Sequence, residues 1–208
     1  MAMNENSRVT VTGLVASGPQ FSHDMFGEQF YEFKIAVPRE SGAVDILPVQ
    51  MSECLFDVDK LSIDTMIKVS GQIRTRNDNS GQKSKLVLTI FAEEVDNMLD
   101  GGLLGTNNVV LDGYICKPTT YRETPFGREI CDLLLAVNRA YGKSSYIPCV
   151  LWGRTAKFAG TLNVGQHIKV TGRLQSREYT KVLEDGNSET RTAYELSVFK
   201  LEVLEDAE

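Results

Sequence analysis

The sequence predicts an all-β protein built of two tandem five-stranded barrels, each with one short helix. Two observations lead there. The chain is written twice, and each copy alternates apolar with polar residues at the period of a half-buried strand. Val9, Val11 and Gly13 recur as Val109, Leu111 and Gly113, Arg39 as Arg139, and Pro48 as Pro148, all at an offset of 100 residues. Phe26-Gly27 returns as Phe126-Gly127, and Ile35-Ala36-Val37 as Leu135-Ala136-Val137. Ile67 to Gly71 returns as Ile168 to Gly172 at an offset of 101.

In the first copy, Val9, Val11 and Val15 alternate with Arg8, Thr10 and Thr12, which marks a first strand. Residues 30–37 and 44–51 read as the second and third. Leu55, Val58 and Leu61 then stand at helical spacing and predict one short helix. Residues 66–76 and 85–95 complete the set. The second copy repeats the order, with strands near 109–116, 130–138, 145–152, 166–177 and 193–203 and a helix near 154–162. Gly71 and Gly172 interrupt strand patterns, the mark of a bulge or tight bend at the corner of a small barrel. Five strands with a helix before the fourth match an oligonucleotide/oligosaccharide-binding (OB) fold. The glycine-rich "NMLDGGLLGTNN" (97–108) separates the copies. The expected domains are therefore 1–98 and 108–208, joined by a linker at 99–107 too short to let the barrels wander apart. Residues 180–191 read as an irregular loop, longer than its counterpart 77–84.

Composition narrows the function. Two domains of common size fit 208 residues. No apolar run reaches the ~20 residues that span a bilayer, and the N-terminus carries no secretory pattern, so a cytoplasmic protein is expected. The four cysteines, Cys54, Cys116, Cys131 and Cys149, show no paired spacing and read as free thiols. With His23 and His167 far apart, no metal or other cofactor is expected. No nucleophile–base pair or phosphate-cradling loop occurs, so the protein is not expected to be an enzyme. The net charge of −6 lies wholly in the first hundred residues. The second half is neutral, and carries +4 when its last seven residues are set aside.

The second copy interleaves Tyr141, Tyr146, Trp152 and Tyr179 with Arg139, Lys143, Arg154, Lys157, Arg173, Arg177 and Lys181. Flat rings stack on bases without reading sequence, and cations neutralise phosphates. On "HIKVTGRLQSREY", Lys169, Arg173 and Arg177 fall on the face opposite Ile168, Val170 and Leu174. A tyrosine taken alone reads better as barrel packing than as stacking; the combination of rings and cations in one module favours a ligand face.

Residues 107–203, above all "LAVNRAYG", "YIPCVLWGRTA" and "GQHIKVTGRLQSREY", resemble the bacterial single-stranded DNA-binding proteins. The resemblance implies base stacking at Tyr141, Tyr146, Trp152 and Tyr179. It also implies phosphate contacts at Arg122, Arg139, Arg154, Lys169, Arg173 and Arg177, to which the interleaved pattern adds Lys143. The first copy resembles the family more weakly. At the four ring positions it has Ser41, Ile46, Ser52 and Asp78, none able to stack. It keeps Arg39, Lys68, Arg74 and Arg76 as weaker phosphate candidates. Its own rings, Phe21, Phe26, Phe30, Tyr31 and Phe33, read mainly as core or interface, with Phe21 and Phe26 near a loop. The family usually presents four barrels per assembly, which implies a homodimer here. The sequence ends at "VLEDAE", without the flexible linker and acidic tip that family members carry, so partner recruitment through such a tip is not expected. A protein-interaction module of the replication machinery and a single-stranded RNA binder are the alternative readings.

Overall fold

The computed structural model describes residues 6–78, 85–98, 104–182 and 188–205. Strands β1 (Ser7–Met25), β2 (Glu28–Pro38), β3 (Val44–Ser52), β4 (Met66–Asp78) and β5 (Lys85–Asn97) form the first barrel. β1 pairs with β2, β2 with β3, β3 with β5 in parallel, β5 with β4, and β4 back with β1, so the ring closes. The second barrel closes in the same cyclic order through β6 (Asn107–Ile115), β8 (Glu129–Asn138), β9 (Ser144–Trp152), β11 (Ser188–Val203) and β10 (His167–Val182). A short extra strand, β7 (Thr120–Glu123), hangs on β8. Alternation builds each wall: along β6, Val109, Leu111, Gly113 and Ile115 are buried while the residues between them are not. The apolar interiors of both barrels join in one connected core.

The repeated glycines are the places where strands cross too closely for a side chain. A Cβ at Gly13 would lie 2.3 Å from the Ala36 carbonyl oxygen, and one at Gly113 2.4 Å from that of Ala136. At Gly71 it would lie 2.1 Å from the Phe91 oxygen, and at Gly172 2.4 Å from the Ser197 oxygen. The β4–β5 and β10–β11 ladders both slip register at these last two glycines, so the bulges expected there are present. Gly71→Ala is therefore expected to destabilise the protein by ~1–3 kcal/mol or more through forced overpacking. Denaturant unfolding checks it, and a wild-type midpoint would mean the corner relaxes.

Three expectations need correction. The helix expected around Leu55–Leu61 is a single 3-10 turn, Val58–Lys60. Asp57 caps its start, accepting from the Asp59 amide at 3.1 Å, but the chain turns at Ser62–Thr65 with Asp64 at φ 67°, which leaves no room for a longer helix. In the second copy α1 (Gly153–Ala159) does form, because Ala156 and Ala159 are small enough to bury it against the barrel. In the irregular stretch expected at 180–191, the described residues are strand: β10 and β11 stay paired from Thr180↔Thr190 to Val182↔Ser188. β-branched residues on both arms favour that extension. The first copy's hairpin also extends further, since β1 reaches Met25, and the repeated Phe-Gly forms the tip of the hairpin in both copies. Residues 99–103 of the expected linker, and 79–84 and 183–187 of the two expected loops, lie outside the described residues.

The barrels meet through a local two-fold. β1 and β6 pair antiparallel with Val9 opposite Val109, which are each other's repeat equivalents. The hydrogen bonds around them come in matched pairs. The Thr12 amide donates to the Thr106 oxygen and the Asp112 amide to that of Asn6, both at 2.8 Å. Ile73 N–H donates to Ser7 Oγ at 3.1 Å, and Leu174 N–H to Asn107 Oδ1 at 2.9 Å. Tyr146 N–H donates to Thr75 Oγ1 at 2.7 Å, and Ile46 N–H to Ser176 Oγ at 3.0 Å. This is the self-complementary pattern of a two-fold dimer, written within one chain.

Candidate nucleic-acid interface

The outer face of the second barrel carries an open groove across β8, β9, β10 and β11. Arg122, Pro148, Trp152, Arg173, Gln175 and Arg177 line it, and Arg39 of the first barrel joins them. A second depression shares Trp152, Arg39 and Arg173 and runs toward Leu104 and Phe199.

Strand parity places the rings. On β9, Ile147, Cys149 and Leu151 are buried, so Tyr146 and Trp152 stand on the outer face, 46% and 42% exposed. Tyr179 extends from the free arm of β10 and is 38% exposed, with the Arg177 guanidinium 5.9 Å from its ring centroid. Tyr141 sits in a turn after β8 at φ 61°, followed by Gly142, and is 92% exposed. None of the four rings belongs to the core, Trp152 included.

The cations divide more finely than parity suggests. Arg173 and Arg177 line the groove and hold no ion pair among the described residues. Arg122 also lines it, with Nε 3.0 Å from Asp132 Oδ2. Lys169 is exposed on the same strand but lies before the bulge and does not line the groove; nor do Lys143 and Arg154, exposed on the turn after β8 and on α1. Lys157 is tied to Glu129 at 2.6 Å. In the first copy, Lys68 lies 3.8 Å from Asp96, Arg76 is exposed, and Arg74 lies flat on the Phe91 ring, 3.2 Å from its centroid. Phe30 and Phe33 are core, whereas Phe21 and Phe26 are exposed.

Arg39 is held in the groove wall by Asp45. Its Nε donates to Asp45 Oδ2 at 2.7 Å, and a second nitrogen donates to Oδ1. Asp45 Oδ1 also accepts from the Ser176 amide at 2.7 Å, across the barrel junction. Hydrogen bonding to Asp45 is the main cause that raises the Arg39 pKa. The sequence pattern does not single out Asp45 as a site residue. The signal it offers is parity: Asp45 falls in step with Leu47, Val49 and Met51, an acid on the buried side of a strand.

Closed OB barrels doubled about an internal two-fold, with an open groove and exposed rings and guanidiniums on one of them, define a tandem OB-fold protein. Residues 106–204 match the model of the single-strand binding protein family. The chain is 38% identical over 80 residues to a single-stranded DNA-binding protein of Bacillus cereus, covering 35% of this chain and 47% of that protein. It is 40% identical over 80 residues to single-stranded DNA-binding protein A of Bacillus subtilis, covering 35% and 46%. The chain thus spans about half the length of the curated relatives it matches. In fold it is similar to the single-stranded DNA binding protein of Thermus aquaticus, with a TM-score of 0.78 at 21% identity over 97% of this chain and 94% of that one.

Proposed function

We propose that this protein binds single-stranded DNA without sequence preference, in replication, recombination or repair. The observation that carries this reading is the exposure of all four rings on the second barrel, where barrel packing would have buried them, with Trp152 lining a groove beside Arg122, Arg173 and Arg177. Tyr141, Tyr146, Trp152 and Tyr179 stack bases. Arg122, Arg139, Lys143, Arg154, Lys169, Arg173 and Arg177 contact phosphates, with Arg173 and Arg177 central. Of the first-copy cations, Arg39 is the best placed, because it lines the second barrel's groove. Residues 1–98 serve mainly as scaffold and 108–208 as the binding domain. Two chains associate to give four barrels, in the bacterial cytoplasm. The relatives' names and the family match support the ligand class.

Titrating oligo-dT at several salt concentrations tests the proposal. The affinity for single strands is expected to fall with a log–log slope of about −0.7 per phosphate neutralised. Equal affinity for a duplex of the same length would sink it, and a clear preference for the matched ribose oligomer would turn the reading to RNA.

A further inference from the structure

The local two-fold creates two equivalent junctions between the barrels, and they are equipped differently. At the first, Arg39 faces Asp45, which is fully buried and bonded to the Ser176 amide. Cation and carboxylate cancel. At the second, Arg139 takes the place of Arg39, but Ser145 takes the place of Asp45. Ser145 Oγ keeps only the hydrogen bond, accepting from the Thr75 amide at 3.2 Å. Gln175 of the first junction is replaced by Arg74, held flat on Phe91. Phe91 itself stands where the second barrel has Ser197.

The second junction therefore brings two guanidiniums together without the buried carboxylate of the first; Glu93 offsets part of the Arg74 charge but forms no ion pair with it among the described residues. Both Nε atoms, of Arg74 and Arg139, are buried and have no hydrogen-bond partner among the described residues. Burial, and then the neighbouring Arg139 charge, lowers the pKa of Arg74 against the opposing pull of Glu93, and burial lowers that of Arg139. A protein that had no use for this cluster would be expected to compensate it, as the first junction does, since buried charges are normally paired. The site adjoins a proposed stacking ring: Tyr146 N–H donates to Thr75 Oγ1, one residue from Arg74.

The geometry points to an anion subsite at the second junction, in which Arg74 and Arg139 together hold a phosphodiester of the single strand. This rests on the proposed DNA binding and deepens it. The strand does not end at the second barrel. Past Tyr146 it crosses onto the first barrel, where Arg74 on its Phe91 platform, and the exposed Arg76 on the same strand face, take over. The first barrel contributes by charge what it lacks in exposed stacking rings at the four equivalent positions.

The test copies the first junction into the second. Ser145→Asp supplies the missing carboxylate in a position that already accepts the Thr75 amide, and Arg74→Gln installs the residue found at the equivalent position 175. Each variant and the wild type are titrated with an oligo-dT of roughly 35 nucleotides and one of roughly 8, respectively beyond and within the span of a single barrel's site. For the long oligomer, each variant is expected to lose affinity several-fold at low salt. Its salt slope should become shallower by about 0.7 for each phosphate that is no longer neutralised. The short oligomer should bind Arg74→Gln nearly as it binds wild type, with the same Trp152 quenching, whereas Ser145→Asp, which neutralises Arg139 of the second barrel, should weaken both oligomers. Thermal melting checks that the variants fold, and Arg74→Gln carries the test alone if Ser145→Asp does not. Wild-type affinity and slope with the long oligomer in a folded variant would overturn the subsite. If the wild type itself bound neither oligomer, the DNA-binding reading would fall, a result distinct from failure of the subsite alone.

Discussion

Arg39→Met is expected to lower the unfolding free energy by about 3 kcal/mol or more, because it strands a buried carboxylate. Asp45 is fully buried, and Arg39 supplies two of its hydrogen bonds and the positive charge that pairs with it. Removing one partner of a buried ion pair typically costs about 3–5 kcal/mol, whereas replacing both partners is far milder. The double variant Arg39→Met with Asp45→Asn should therefore recover most of the loss, since asparagine still accepts from the Ser176 amide without carrying a charge. Urea unfolding of the two single variants and the double one measures the coupling. A single Arg39→Met variant within ~0.5 kcal/mol of wild type would show that the carboxylate does not depend on its guanidinium.

Trp152→Ala should weaken oligo-dT binding by about 1–3 kcal/mol, roughly 5- to 150-fold, the range found for base–ring stacking in proteins that hold single strands. The ring is 42% exposed and borders both depressions of the second barrel, so nothing in the core collapses when it is removed. Trp152→Phe, which keeps a flat face, should retain most of the affinity. As the lone tryptophan of the chain, Trp152 also reports directly: its fluorescence should be strongly quenched by oligo-dT. Unchanged affinity in the alanine variant, with no quenching in the wild type, would move the stacking surface away from this residue.

Much of the architecture was legible in the repeat. Alternating valines placed β1 and β6, and Gly71 and Gly172 marked the bulges, because a strand corner that excludes Cβ leaves a glycine behind. The rings of the second copy were legible as a set, since parity sends Tyr146 and Trp152 to the face opposite Ile147 and Leu151. Local pattern failed where a following turn decided the outcome. Helical spacing at Leu55, Val58 and Leu61 was cut short by the Ser62–Thr65 turn and the positive φ of Asp64. The arms of β10 and β11 gained order from pairing with each other, which neither segment reveals alone.

By itself the sequence determined that this chain is two copies of one barrel and that only the second carries rings able to stack bases at the four repeat-equivalent positions. Those facts rest on strand periodicity and residue type, which are local. Tertiary structure alone decided how the copies meet. Val9 faces Val109 across a two-fold, and this brings Arg39 into the other barrel's groove and sets Arg139 in a junction with Arg74. The physical reason is that charge pairing and burial depend on distance in space. Arg39 and Arg139 are repeat equivalents in the chain, yet one is neutralised by Asp45 and the other faces Ser145 and a second guanidinium.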